Sequence, residues 1–305
     1  MGLPAITETD VEIIIPGCKV VGDRCNGGQK VVFPCLINEK KYAIKFMLVN
    51  LDILAEDNPE ITTGILDEIT ARALREVEIM RKCDSPYLIK LGPVELQRVS
   101  YNDQIIILFS EEWVEGEDLS RELARTNVLQ IMDVIKLGIQ ITSAIQELWS
   151  HSKVHRDIKP GNILHCSNSG DFLLLDMGLA FDLSDKSLTA FGQIPCTRTY
   201  VSPEQLNIAK KRSMDFRSDL FNLGIVMYES ITGEHPFYKI GMSDMDIFSN
   251  VISYDPPPPS SLRRGISNEL NDLIIRLLGK NPHFRYRSCE QLIVALKRIL
   301  ENMGV

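Results

Sequence analysis

The spacing of apolar residues changes near the middle of the chain. From Val11 to Trp113 they fall in short runs, as in Val11-Glu12-Ile13-Ile14-Ile15, Lys30-Val31-Val32-Phe33 and Gln104-Ile105-Ile106-Ile107-Leu108-Phe109. These runs are rich in the β-branched and aromatic types that suit a pleated, half-buried surface. One segment, Leu66 to Lys82, instead repeats apolar positions at the three- and four-residue spacing of a helix with one buried face. The first half is therefore expected to be a small sheet carrying one main helix. Beyond Gly116 the helical period dominates, over Leu129 to Ser152, Asp219 to Thr232, Asn268 to Leu278 and Cys289 to Met303, which predicts a larger, mainly helical half. No internal repeat interrupts this order. The run Pro256-Pro257-Pro258-Pro259 reads as a stiff, extended connector between two helices rather than as a ligand for a proline-recognition domain.

Length and charge narrow the function. A chain of 305 residues can bury a sizeable core and fits a two-lobed enzyme with little left over. Lys and Arg number 33 against 41 Asp and Glu, a formal net charge of -8, which disfavours a general binder of nucleic acid or anionic membrane. No apolar run reaches the roughly 20 residues of a spanning helix, and Met1 to Ile6 shows no basic region ahead of an apolar core. The expected location is cytoplasmic. Gly2 invites myristoylation, but Thr7 falls just beyond the hydroxyl position of that motif. The seven cysteines are odd in number and lack C-x-x-C spacing, which fits free thiols in a reducing compartment. The five histidines show no metal-ligand spacing.

The chemistry concentrates in one span, His155-Arg156-Asp157-Ile158-Lys159-Pro160-Gly161-Asn162 followed by Leu174-Leu175-Asp176-Met177-Gly178. When a terminal phosphoryl group moves from ATP to a hydroxyl, charge spreads over the equatorial oxygens while attacking and leaving oxygens stay in line, so positioning and electrostatics supply most of the catalysis. Asp157 is suited to accept the hydroxyl proton and Lys159 to neutralise the transferring phosphate. Asn162 and Asp176 offer the hard oxygen ligands that Mg²⁺ prefers. His155 reads as a packing and hydrogen-bonding residue rather than a base. An ordinary polar loop would supply these residue types singly, not as an ordered set.

With these residues the chain resembles the eukaryotic-like (Hanks-type) Ser/Thr protein kinases, over about Val11 to Leu300. The resemblance implies an α+β, two-lobed fold, with a small antiparallel sheet and one main helix in the N-lobe and a larger helical C-lobe. It divides the chain into a tail at 1–10 and a kinase domain at 11–305, with an N-lobe at 11–113, a hinge at about 112–116 and a C-lobe at 117–305. It also implies Mg-ATP as phosphoryl donor, with Mn²⁺ an alternative metal. In Tyr42-Ala43-Ile44-Lys45 it places Lys45 on the α- and β-phosphates and Ala43 in the adenine wall. Glu76, in Leu74-Arg75-Glu76-Val77, is the family's partner for that lysine, chosen over Glu68 and Glu78 by register.

A glycine-rich turn over the phosphates is expected because backbone N–H groups must approach them closely. The candidate is Gly22 to Val31, with Gly22, Gly27 and Gly28. Arg24 stands at the family's middle glycine, the valine comes late, and Asn26-Gly27-Gly28 also reads as a plain hairpin turn. The segment Phe46 to Ile65 is a longer connection than usual, regulatory or merely tolerated. Glu112-Trp113-Val114-Glu115-Gly116 resembles the hinge, where the backbone of Glu112 and Val114 would meet the adenine edge. That register puts Glu111 at the rear of the adenine pocket, where the family carries an apolar or Thr side chain. Either Glu111 has a partner or the register is off by one, since a buried lone carboxylate is costly.

On the substrate side, Met177 replaces an aromatic, and Cys196 replaces the glycine before Thr197, which is expected near Asp157 and Lys159. Glu204, in Ser202-Pro203-Glu204, should pair with Arg285 or its rival Arg287. Asp219 should hold the catalytic-loop backbone, cap its helix, or both. Lys159, two residues after the base, implies Ser or Thr acceptors. Arg156 is a cation that a phosphate on Ser184, Ser187, Thr189 or Thr199 could neutralise, which predicts autophosphorylation, compatible with a transient dimer. The expected partners are protein substrates, without nucleic acid and without a membrane span. Two other readings stand beside this one. A pseudokinase is suggested by the irregular glycine turn and Glu111. A small-molecule kinase would not need Thr197 to Glu204 and the helices after them.

Overall fold

A computed structural model describes residues 6–26, 30–49, 59–102, 104–177, 181–182, 199–207 and 214–304. Two compact units divide it, Met1–Lys82 with Ile89–Val114, and Cys83–Leu88 with Glu115–Val305.

The first unit opens with a helix, α1 (Glu8–Ile14), where the run Val11 to Ile15 reads as a strand. The reversal has a local cause. Thr7 accepts the Asp10 N–H at 3.3 Å while Asp10 accepts the Thr7 N–H at 2.8 Å, a reciprocal cap that satisfies the first-turn donors. Val11 and Ile15 then share one face and are buried with Ile6, while Ile13 is left exposed. Ile6, from the expected tail, thus joins the unit's core.

The sheet comprises β1 (Cys18–Val20), β2 (Cys25–Asn26), β3 (Lys30–Ile37) and β4 (Lys40–Val49), followed after the helix α2 (Pro59–Lys82) by β5 (Gln97–Tyr101) and β6 (Gln104–Glu112). All pairings are antiparallel in the order β1-β3-β4-β6-β5, with β2 also on β3. The expected strands Lys30 to Phe33 and Gln104 to Phe109 lie within β3 and β6. The turn joining β3 to β4 holds Asn38 and Glu39 at φ 50° and 64°, two left-handed residues whose twist suits a tight hairpin. Phe33, Ile44, Phe46, Ile106 and Leu108 form the core beneath α1. Tyr101 Oη donates to Asp10 at 2.7 Å, fastening α1 to the sheet edge.

Helix α2 starts at Pro59 rather than Leu66, on a proline whose missing N–H is no loss in the first turn. The long connection expected between Lys45 and this helix is thereby shortened from both ends, since β4 runs on to Val49. Its residues Glu56 to Asn58 lie outside the described residues. Ala73, Glu76, Val77 and Met80 share the buried face of α2.

The second unit contains β7 (Gly116–Asp118), α3 (Leu119–Thr126), α4 (Ile131–Ser150), β8 (Lys153–Val154), β9 (Ile163–Cys166), β10 (Phe172–Leu174) and β11 (Phe181–Asp182). Then come α5 (Pro203–Leu206), α6 (Phe216–Thr232), α7 (Asp244–Ser253), α8 (Pro259–Leu262), α9 (Asn268–Leu277) and α10 (Cys289–Asn302). Helices α4 and α6 form its centre, and fourteen of the 17 residues of α6 are buried, as expected for a helix enclosed on all sides. Gly138 lets α4 approach its neighbours. A Cβ there would lie 2.9 Å from Met227 of α6 and 3.0 Å from Leu296 of α10. Of the proline run, Pro258 is extended and Pro259 opens α8. Among the described residues no helix is long and apolar enough to cross a membrane, and none of the six described cysteines is in a disulfide.

Candidate active site

In the first unit the candidate site is a set of four charges, three of them buried and Lys30 half-buried. Lys45 lies on β4 with only 8% of its side chain exposed, its Nζ 3.0 Å from Glu76 and 2.5 Å from Glu111. Register accounts for the meeting, because β4 and β6 pair Ala43 with Glu111 and Lys45 with Phe109, putting Lys45 and Glu111 on one sheet face. Glu76 comes from α2, and its other oxygen is 2.8 Å from Lys30 of β3. Two ammonium groups therefore balance two carboxylates, which a dry environment requires. Burial pushes the Glu111 carboxyl above the usual range, opposed chiefly by the Lys45 charge.

Of the two explanations left open for Glu111, the structure supplies a partner, and that partner is Lys45. Lys30 was missed. Its only signal is a lysine at the start of an apolar strand, which usually means solvation. Ala43 is half-buried on β4. Glu112 ends β6, where its N–H donates to the Lys90 carbonyl at 2.9 Å and its side chain accepts the Lys90 N–H at 3.0 Å. Val114 follows, half-buried. Gly22 sits in an exposed bend against Pro34, while Gly27 and Gly28 lie outside the described residues.

In the second unit the candidate residues cluster on the loop between β8 and β9. Lys159 Nζ donates to Asp157 Oδ2 at 2.7 Å, and Asn162 Nδ2 donates to the same oxygen and to the Asp157 carbonyl, each at 2.9 Å. Asp157 and Asn162 are buried, and Lys159 is half-buried. Asn162 stands in the single 3₁₀ turn Pro160–Asn162, which returns the chain toward Asp157. The loop is held from several sides. Asp219, near the start of α6, accepts the His155 and Arg156 N–H groups at 2.8 Å each, and Gln205 Nε2 donates to the Arg156 carbonyl at 2.8 Å. Burial raises the Asp219 carboxyl pKa against the pull of those donors. The N-cap of α6 is Asp215 rather than Asp219, so the capping alternative for Asp219 does not apply. Gln205 was not legible, because nothing local marks a glutamine that reaches 49 residues back.

Asp176 is placed through its neighbour. Leu175 donates its N–H to the Asn162 carbonyl at 2.8 Å, and its own carbonyl lies 3.1 Å from His155 Nε2. His155 Nδ1 meanwhile accepts the Asp157 N–H at 3.3 Å. Together these two contacts fit the tautomer with the proton on Nε2. His155 thus joins the loop to the strand end that carries Asp176, consistent with a structural role. Asp176 itself takes a left-handed φ of 55°, a strained setting for a residue with a Cβ and one common at functional positions. Met177 is fully buried. Glu204 pairs with Arg285 at 2.5 and 3.0 Å, settling the choice between Arg285 and Arg287. Cys196, Thr197, Ser184, Ser187 and Thr189 lie outside the described residues. Thr199 is half-buried in a turn.

The donor set fits the groups that phosphoryl transfer requires. With the Asn162 amide nitrogen committed to Asp157, its amide oxygen is the ligand it would offer, beside the Asp176 carboxylate, and such oxygen donors suit Mg²⁺.

Comparison with known proteins agrees. The family described as protein kinase domain matches residues 25–295. A probable serine/threonine-protein kinase of Clostridium perfringens is 30% identical over 78% of this chain and 33% of its own length. Serine/threonine-protein kinase pkn3 of Myxococcus xanthus is 34% identical over 78% of this chain and 43% of its own. PknB of Mycobacterium leprae is 34% identical over 62% of this chain and 29% of its own. The chain thus spans less than half the length of these relatives. A family match over most of the sequence, on a fold whose two units carry the ion-paired lysine and the Asp-Lys-Asn loop, means that this chain belongs to the protein kinase family.

Proposed function

We propose that the chain is a Ser/Thr protein kinase that moves the γ-phosphoryl of ATP to Ser or Thr hydroxyls of protein substrates. The observation that carries this reading is the Asp157 carboxylate, held by Lys159 and Asn162 on a loop anchored at Asp219. Asp157 accepts the hydroxyl proton as the oxygen attacks, and its two donors fix the angle at which it does so. Lys159 adds positive charge where the transferring group gains negative charge. Lys45, aimed by its carboxylate neighbours, steers the α- and β-phosphates. Asn162 and Asp176 would hold Mg²⁺, which would screen the phosphate charge. The same kinase reading makes 11–305 one catalytic domain, acting in the cytoplasm.

The test is transfer from labelled ATP with Mg²⁺ to a generic basic protein. Wild type should label it, and Asp157→Asn should lose about 10²- to 10⁴-fold in rate with its thermal midpoint unchanged. Equal labelling by the two overturns the reading. Autophosphorylation on Thr199, Ser184, Ser187 or Thr189 is part of the same proposal, and by mass spectrometry the phosphate should be absent from the Asp157→Asn chain. A second reading, a pseudokinase, is favoured by one observation. Glu111 sits on Lys45 at 2.5 Å and competes with phosphate for it. Nucleotide binding without any Asp157-dependent transfer would select that reading.

A further inference from the structure

We propose a zinc site apart from the catalytic residues, formed by Cys83, Glu147 and His151. The three ligand atoms lie within 4.8 Å of one another. All belong to the second unit, Cys83 from the segment that follows α2 in the chain and the other two from the end of α4. Glu147 and His151 are four residues apart, the spacing that sets two side chains on one helical face, and His151 Nε2 is 3.4 Å from Glu147 Oε1. Cys83 is buried while His151 is about one-third exposed, so the sulfur lies at the inner end of the set and the imidazole at its mouth.

The donor chemistry selects the ion. A thiolate, an imidazole and a carboxylate suit a borderline-soft divalent cation, whereas Mg²⁺ and Ca²⁺ seek oxygen alone. Tetrahedral zinc spaces its donors roughly 3.3–3.6 Å apart. The Glu147–His151 pair is already at that separation, and the remaining closure is at most about 1.2 Å, within the reach of a partly exposed histidine. With three protein ligands, the fourth position takes water. An outer contact is also in place, since Glu147 Oε1 accepts the Asp84 N–H at 2.9 Å and is oriented by it, as carboxylate ligands commonly are. Zinc here would tie the segment holding Cys83 to the last turn of α4.

The full chain, incubated with Zn²⁺ in a non-chelating reductant and desalted, should retain a single equivalent by elemental analysis. Cys83→Ser and His151→Gln should each weaken retention by at least about tenfold. Glu147→Gln, which keeps an acceptor for the Asp84 N–H, should weaken it less. Cys25→Ser, at an exposed thiol, should leave it unchanged. Co²⁺ in place of zinc should give a thiolate charge-transfer band that Cys83→Ser abolishes. The proposal is overturned if wild type retains no zinc, or if His151→Gln and Cys83→Ser retain as much as wild type. Should Cys83→Ser fail to fold, the His151→Gln measurement decides alone. None of these readouts depends on phosphoryl transfer.

Discussion

Lys45 lies between two buried carboxylates, and its removal strands Glu111 while Glu76 keeps Lys30. Lys45→Met is expected to lose about 3–5 kcal/mol of stability, the usual penalty for breaking a buried ion pair by removing one partner, seen as a lower denaturant midpoint. Adding Glu111→Met to that variant should restore part of the loss, and a double-mutant cycle that proves additive would show that the two side chains are not coupled. Asp157→Asn, whose amide can still accept from Lys159 and Asn162, is therefore the cleaner inactive variant. His235 gives the clearest pH dependence. Burial lowers its pKa from 6.5 to about 4, so below pH 6.5 the unfolded chain takes up a proton that the native chain refuses. Its contribution to stability is intact above pH 6.5 and is lost as pH falls toward 4, at about 1.4 kcal/mol per pH unit at the steepest. His235→Phe should flatten the dependence of the thermal midpoint across that window. At this scale the sequence was legible where chemistry dictates identity. Asp157, Lys159, Asn162 and Asp176 stand in an order that phosphoryl transfer explains. Lys30 and Gln205 were not legible, because their roles arise only when distant strands and loops meet.

Among the elements, α1 shows where pattern reading fails. Three consecutive isoleucines suit a strand as well as a helix, and the decision passed to Thr7 and Asp10, whose reciprocal cap is a two-residue signal outside the apolar run. The long helices of the second unit were easier, because a period sustained over about three or more turns has no strand counterpart. The segment before α10 supports a comparative test. Arg285 is fully buried, pairs twice with Glu204 and also donates to the Arg217 and Gly279 carbonyls, whereas Arg287 is exposed. Arg285→Met should cost about 3–5 kcal/mol and Arg287→Ala less than about 0.5 kcal/mol, compared by chemical denaturation. Equal losses would remove Arg285 from its anchoring role.

For the whole molecule, the change of apolar period near residue 116 anticipated the division into a sheet-rich and a helical unit, because each layer must bury its own kind of face. What it could not supply was how far the first unit extends toward the N-terminus. The family match begins at residue 25, yet Ile6, Val11, Ile15 and Cys18 are buried in the same core as Phe33 and Phe46. Each large aliphatic side chain so covered is worth about 1.5–3 kcal/mol, against a net stability of about 5–15 kcal/mol for an ordinary domain. A shortened chain beginning at residue 25 would leave the floor of the sheet wet. It should collect in the insoluble fraction on expression, and supplying residues 1–24 as a separate peptide should bring part of it back into solution.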